Sequence, residues 1–249
     1  MYKPRTAWDR EKGFYLGSLA SGAIMSTLPL CGKPFEKQLA KEHMQNDLYK
    51  KPFLDSLTVS GLDKQGIRIE CMANSLGDNA YKRGINAAYF PKEKVVRINT
   101  EKISIAGFHE LGHAMNDVTG KLGKLLSKMR WPGRIIAGIM GYVALFSRSK
   151  PSDAPKDIGD KIKDNCGKIA FISMLPTVIE EGMASYKGLK LARKTSLAEP
   201  LIKNIKKLYG KALLTYIGHA TATGLAVGAA SMIMDYFSRP KKVNTDLFW

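Results

Sequence analysis

Charge-free runs punctuate an otherwise polar chain. Residues 13–32 carry no charged side chain, and neither do Ile135–Ser147, Ile169–Ile179 or residues 212–234. Between them the pattern changes period. Residues 34–55 are polar and read as helix. Leu57–Ser60, Ile67–Met72, Ala87–Phe90 and Val95–Asn99 are short runs rich in β-branched and aromatic residues, the signature of strands. Pro91-Lys92-Glu93-Lys94 is a tight link, so the last two runs predict a hairpin. Thr100 with Glu101 marks a helix start, and the helical pattern continues from about Lys102 to Met129. Arg148–Lys168 is charged and contains proline, which predicts a loop. Further on, Leu197, Leu201, Ile202, Ile205, Leu208 and Tyr209 recur at helical spacing with Lys203, Lys206 and Lys207 between them. Ser196 and Glu199 stand as a capping-box pair in front of that helix.

Strands followed by helices predict an α+β fold: a small antiparallel sheet, then a mostly helical second half containing an apolar hairpin. Three segments follow from the runs: an apolar N-terminal segment 1–32, a central domain 33–211, and an apolar helix with basic tail 212–249. At 1.5 Å per residue, 13–32 reaches about 30 Å, the thickness of a bilayer core. Pro29 and the glycines within it fit a buried soluble helix as well. Residues 212–234 are the best transmembrane candidate, with Gly224 and Gly228 as a small-xxx-small face for close helix contact. His219 inside this run is either a functional group at membrane depth or a hydrogen-bonded core histidine. The two hairpin runs are each shorter than a standard span, so core and membrane readings both stay open. The basic amphipathic stretch suits either an anionic lipid surface or an ordinary solvated helix face.

Charge narrows the partners. The net charge is +17 and the pI about 9.7, which favours acidic partners. No paired CxxC fingers and no aromatic RNP-like strands are present, so an anionic membrane is expected and nucleic acid is not. Cys31, Cys71 and Cys166 are odd in number and widely spaced, as in a reducing compartment without a disulfide framework. If 13–32 and 212–234 both span, the basic residues nearest them are denser on the long segment: Lys33, Lys37 and Lys41, then Lys203, Lys206, Lys207 and Lys211. The positive-inside rule then places the central part in the cytoplasm.

The chemistry concentrates in Phe108-His109-Glu110-Leu111-Gly112-His113-Ala114, which reads HExxH. His109 and His113 leave one helix face a turn apart, so two neutral imidazoles there hold one Zn²⁺. Glu110 lies beside the metal and is the candidate general base and acid for a water and a leaving amine. Gly112 and Ala114 are small, as a helix packed closely under a metal requires. Asp117, a turn beyond His113, is a candidate carboxylate for a ring N–H of a metal-bound histidine.

Downstream stands Leu175-Pro176-Thr177-Val178-Ile179-Glu180-Glu181-Gly182-Met183-Ala184-Ser185-Tyr186. Together with HExxH it resembles the gluzincins, zinc peptidases with a distant glutamate ligand. Their second helix often reads EGxAxY, or ExxAD in membrane-embedded relatives. Glu181 to Tyr186 fits the first pattern, and fits the second except that Ser185 replaces the acidic residue. The resemblance implies Glu181 as third ligand with Glu180 its neighbour, a zincin-like fold, and an edge strand, Ala87–Phe90 or a neighbour, that aligns an extended peptide. An apolar hairpin between the ligand helices is also similar to the prenyl-protein (CAAX) proteases and the bacterial heat-shock membrane proteases. The resemblance covers about Ala87 to Leu191, and names no substrate.

The resulting expectation is a membrane-associated zinc metalloendopeptidase acting on a peptide or protein, with Tyr186 and His219 as candidates for the oxyanion donor. The rivals are a non-catalytic membrane-surface adaptor with a structural or degenerate zinc site, and a soluble metallohydrolase whose apolar runs are core.

Overall fold

A computed structural model describes residues 2–42, 47–71, 87–99, 103, 105–147, 150–151 and 153–242. The described chain is mostly helical with a small three-stranded sheet, an α+β arrangement in the coarse sense. In order it runs β1 (Tyr2–Lys3), α1 (Ala7–Glu42), α2 (Asp47–Ser60), β2 (Arg68–Cys71), β3 (Ala87–Phe90), β4 (Val95–Ile98), α3 (Ile105–Thr119), α4 (Lys121–Phe146), α5 (Ile158–Asp164), α6 (Cys166–Ala192), α7 (Glu199–Ser238) and β5 (Lys241–Lys242). Two compact units divide it: one takes residues 1–31, 130–175 and 217–249, the other residues 32–129 and 176–216.

The second unit holds the sheet, ordered β2-β4-β3. β3 and β4 form the expected antiparallel hairpin, Ala87 opposite Ile98 and Phe90 opposite Val95. The sheet is not antiparallel throughout: β2 lies parallel to β4, Arg68 opposite Val95. One apolar core joins the sheet to the helices. Val96 and Ile98 pack with Phe53, Phe108, Leu111, Ile205 and Leu208, and the Phe53 and Phe108 rings meet edge to face at 5.8 Å.

Several expectations give way here. Leu57–Ser60 is the last turn of α2, not a strand. Tyr49, Phe53 and Ser56 recur at helical spacing on its buried side, and this tertiary contact overrides the local β preference of Leu-Thr-Val. Gly61 ends the helix at φ +68°, with its N–H on Thr58 O and the Leu62 N–H on Leu57 O. The single helix expected to Met129 is broken at Gly120, and α4 turns back so that Gly123 lies against the Asn116 backbone. The loop expected at 148–168 contains α5, started by a capping box in which Asp157 accepts from the Asp160 N–H and Asp160 from the Asp157 N–H. Ser196 caps nothing, because α7 begins at Glu199 itself after a turn through 193–196. The face of Leu197, Ile202, Ile205, Leu208 and Tyr209 is buried in the core, and the lysines between them lie on the exposed outer face. The helix start expected at Thr100 and Glu101, Met72, and the tail beyond 242 lie outside the described residues, as do the side chains of Cys31 and Cys71. Cys166 is buried and free.

The other unit is built from the rest of α1, α4, α6 and α7 together with α5. Its helices touch through small residues. A Cβ on Gly133 would lie 2.1 Å from Ser173 O, and one on Gly167 2.8 Å from Gly224 O. Gly17 meets Ala230 and Leu145 at 3.3 Å. At the end formed by α5 and the last turns of α7, Lys163 Nζ pairs with Asp235 Oδ1 at 2.7 Å and Asp235 Oδ2 with Arg239 at 2.8 Å. The Arg5 guanidinium donates to Tyr236 O and Arg239 O. Among the described residues, α7 is the one helix long and apolar enough to cross a membrane.

Candidate metal centre

The second unit brings α3 and α6 together backbone to backbone. Gly112 faces Ala184 so closely that a Cβ there would sit 2.0 Å from Ala184 O, and Gly188 faces Phe108 O in the same way at 2.4 Å. Two helices in such contact lay the side chains on either side of the seam against one another. His109 and His113 leave α3 toward α6, and Glu180 and Glu181 leave α6 toward α3. Both glutamates are almost wholly buried.

Three atoms converge. His109 Nε2 lies 3.1 Å from Glu181 Oε2 and 3.1 Å from His113 Nε2, and His113 Nε2 lies 3.5 Å from Glu181 Oε2. The other ring nitrogens are held from behind. His113 Nδ1–H donates to Glu180 Oε1 at 2.7 Å, and His109 Nδ1 and Ser185 Oγ share a hydrogen bond at 3.2 Å. With their Nδ1 atoms engaged, both histidines aim Nε2 into the convergence, the nitrogen each would offer a metal on giving up its proton. Asn116 sits a turn below and donates from Nδ2 to Glu180 O and Oε1, fixing the carboxylate that fixes His113. The Tyr209 ring packs 5.6 Å from the His109 ring, and its hydroxyl donates to Ile105 O at 2.6 Å.

Glu110 lies on the strand side. Its Oε2 accepts the Tyr89 backbone N–H at 2.8 Å, which ties the carboxylate to β3. The Tyr89 hydroxyl donates to Asp117 Oδ2 at 2.9 Å. Asp117 therefore serves Tyr89 and not a histidine ring. The ring partners are Ser185, standing where the resemblance would have an acid, and Glu180.

Electrostatics follow from this packing. Burial works against a charged His113, but hydrogen bonds to Glu180 and Glu181 and the charge of Glu110 outweigh it and push the imidazole up to about 10. Burial likewise works against a charged Glu181, yet hydrogen bonds from His109 and His113 hold its carboxyl well below the usual range. The site is thus a buried anionic cluster neutralised by whatever cation or proton it holds. Among the described residues two overlapping sets have metal-ligand spacing: His109, Glu110 and His113, and His113, Glu180 and Glu181.

Of the residues singled out in the sequence, His109, Glu110, His113 and Glu181 come together here. Tyr186 does not: it is 67% exposed. His219 lies exposed in the other unit, so it is not a core histidine. Tyr89, Asn116 and Tyr209 were missed. Asn116 alone carried a local signal, standing three residues beyond His113 on the same helix face. Comparison with protein-family models, curated proteins and solved structures returns no match.

Proposed function

We propose that the chain is a zinc-dependent metalloendopeptidase, membrane-associated, with its HExxH-bearing part in the cytoplasm. The observation that carries this reading is the triangle of His109 Nε2, His113 Nε2 and Glu181 Oε2, with sides of 3.1, 3.1 and 3.5 Å. Tetrahedral ligands at ~2.0–2.1 Å from Zn²⁺ stand ~3.3 Å from one another, so these donors fit the ion with a fourth position left open. Bound there, Zn²⁺ supplies a Lewis acid for the scissile carbonyl and acidifies a water.

The chain's own groups do the rest. Glu110, held at Oε2 by the Tyr89 N–H, takes the water's proton and returns it to the leaving amine. Glu180 and Ser185 orient the two rings through their Nδ1 atoms. β3, at the edge of the described sheet, offers its outer side to an extended peptide by strand addition. Membrane association is supported by α7, and the cytoplasmic side by the lysines at 33, 37 and 41 and at 203, 206, 207 and 211.

Zinc stoichiometry of the purified protein, wild type beside His113→Ala and Glu181→Ala, tests the site. Stoichiometric zinc in the wild type, lost or sharply weakened in both variants, is expected, with Glu110→Gln keeping zinc but losing turnover. No zinc after reconstitution overturns the metal centre. Zinc without hydrolysis on any peptide panel, together with tight binding to anionic vesicles, replaces the peptidase with a membrane-surface adaptor.

A further inference from the structure

The first turns of α4, within the second unit, present two stripes to the outside. Leu122, Leu125 and Met129 are 58%, 54% and 44% exposed, and Lys121, Lys124 and Lys128 stand exposed beside them. At 3.6 residues per turn the three apolar positions fall within an arc of roughly 60°, and the three lysines within a second arc of about the same width next to it. The opposite face is committed to the fold. Leu126 is buried, and Gly123 lies against α3 so closely that a Cβ there would be 2.7 Å from Asn116 O. The helix cannot roll its leucines inward. Single exposed apolar side chains are ordinary on a protein surface, but three on one stripe within two turns mark a contact.

The lysines beside that stripe are uncompensated. No Asp or Glu occurs from residue 118 to residue 152. Among the described residues Lys121, Lys124 and Lys128 make no ion pair, whereas Lys150, Lys156 and Lys163 each meet an aspartate, Asp157, Asp164 and Asp235. We infer that the first turns of α4 dock on an anionic lipid surface, with Leu122, Leu125 and Met129 in the acyl boundary and Lys121, Lys124 and Lys128 on headgroup phosphates.

The occupant must cover both stripes at once. A nucleic-acid backbone would engage the lysines and leave the leucines in water. A zwitterionic surface would accept the leucines and leave the positive charge unanswered. An anionic bilayer takes both: the apolar side chains sink below the phosphates, and the lysine stems lie along the apolar surface while their ammonium groups reach up to the headgroups. The start of α7 does not repeat this arrangement. Lys203, Lys206 and Lys207 are exposed there, but Ile202, Ile205 and Leu208 between them are buried, so no apolar stripe accompanies the charge. The lipid contact left open for that basic stretch falls to α4.

The same helix ties the surface to the metal centre. Asn116, on which Gly123 rests, donates to Glu180, and Glu180 accepts from His113. Whatever holds α4 therefore sets the height of the histidines above it. This inference rests on the membrane association proposed above, asks no further helix to span, and is independent of zinc chemistry.

The test uses the full chain with vesicles of three parts phosphatidylcholine to one part phosphatidylglycerol. Leu125 is replaced by the photo-crosslinking residue benzoylphenylalanine, whose bulk an exposed position accommodates, and the adducts are identified by mass. Two sets of substitutions that remove the same charge are compared, Lys121→Gln with Lys124→Gln and Lys128→Gln, and Lys203→Gln with Lys206→Gln and Lys207→Gln. Lipid adducts are expected at position 125, with phosphatidylglycerol above its one-quarter share. The α4 set is expected to bring that excess down to the bulk share, and the α7 set to leave it in place. A chain that is monodisperse without detergent and does not float with the vesicles overturns this inference and the membrane reading together. A chain that floats but gives no lipid adduct at position 125 overturns this inference and spares membrane association. Adducts to a second copy of the chain overturn it in favour of self-association. Phosphatidylglycerol at its bulk share in the wild-type background, or an equal loss in the two sets, overturns the charge reading of α4.

Discussion

Gly112→Ala separates metal geometry from folding. The added methyl would lie 2.0 Å from Ala184 O and 2.7 Å from the Ala184 carbonyl carbon, backbone atoms that cannot rotate away. Side-chain carbons do not approach closer than 3.0 Å, so α3 and α6 must part by roughly 1 Å at this point. The fold loses up to about 2 kcal/mol: overpacking costs about 1–3 kcal/mol, and alanine returns about 1 kcal/mol of helix preference over glycine. The donors fare worse. His109 and His113 ride on one helix and Glu181 on the other, and zinc sites tolerate ligand distances off by only about 0.2 Å. A 1 Å separation therefore takes Glu181 out of the set, and zinc affinity is expected to fall on the order of 100-fold or more. Competition with a chromophoric chelator measures the affinity, and thermal unfolding of the zinc-free protein measures the fold. Gly182→Ala is the control, since its added methyl meets only the Leu213 side chain at 3.5 Å or more. A Gly112→Ala protein that binds zinc as tightly as wild type refutes the argument that the glycine seam sets the ligand triangle.

Glu180→Ala leaves His113 Nδ1–H without its acceptor and is expected to weaken zinc about 10- to 100-fold, whereas Asp117→Ala, which touches no ring, leaves affinity unchanged in the same titration. In the zinc-free protein His113 titrates near 10 against 6.5 when unfolded. A raised folded pKa stabilises fully below the unfolded value and is lost as pH climbs through the folded one. The melting temperature of the zinc-free wild type should therefore fall between about pH 6.5 and 10, and the drop should be absent in His113→Ala; a drop of equal size in that variant rejects the assignment.

What could be read from the sequence was what local spacing determines. Histidines four apart share a helix face wherever the helix lies, and a four-residue link between two strand-like runs closes on itself, so the HExxH face and the β3–β4 hairpin were legible. Long-range pairing was not. The parallel partnership of β2 with β4 depends on a crossover that no local pattern encodes. Leu57–Ser60 has strand chemistry but helix burial, decided by Phe53 one turn earlier and Tyr49 two turns earlier. The partners of the histidine rings were hidden for the same reason. Ser185 and Glu180 reach them from more than sixty residues away, because Gly112 and Gly188 let α6 approach. Asp117 looked right by spacing and is engaged by Tyr89.

The bond from the Tyr89 amide to Glu110 also gives the strand edge a polarity. Along a strand, every second residue turns both its N–H and its C=O to the same side. Residues 87 and 89 share the side of β3 away from β4. The amide of Tyr89 is held by Glu110, and the strand ends at Phe90 before Pro91, which has no N–H. At Tyr89 this side therefore presents a carbonyl without its amide. A copy of the sheet cannot form the reciprocal pair there, so the edge is guarded against runaway strand growth at this point. Any strand that paired at Tyr89 would do so through an N–H of its own, which a proline lacks.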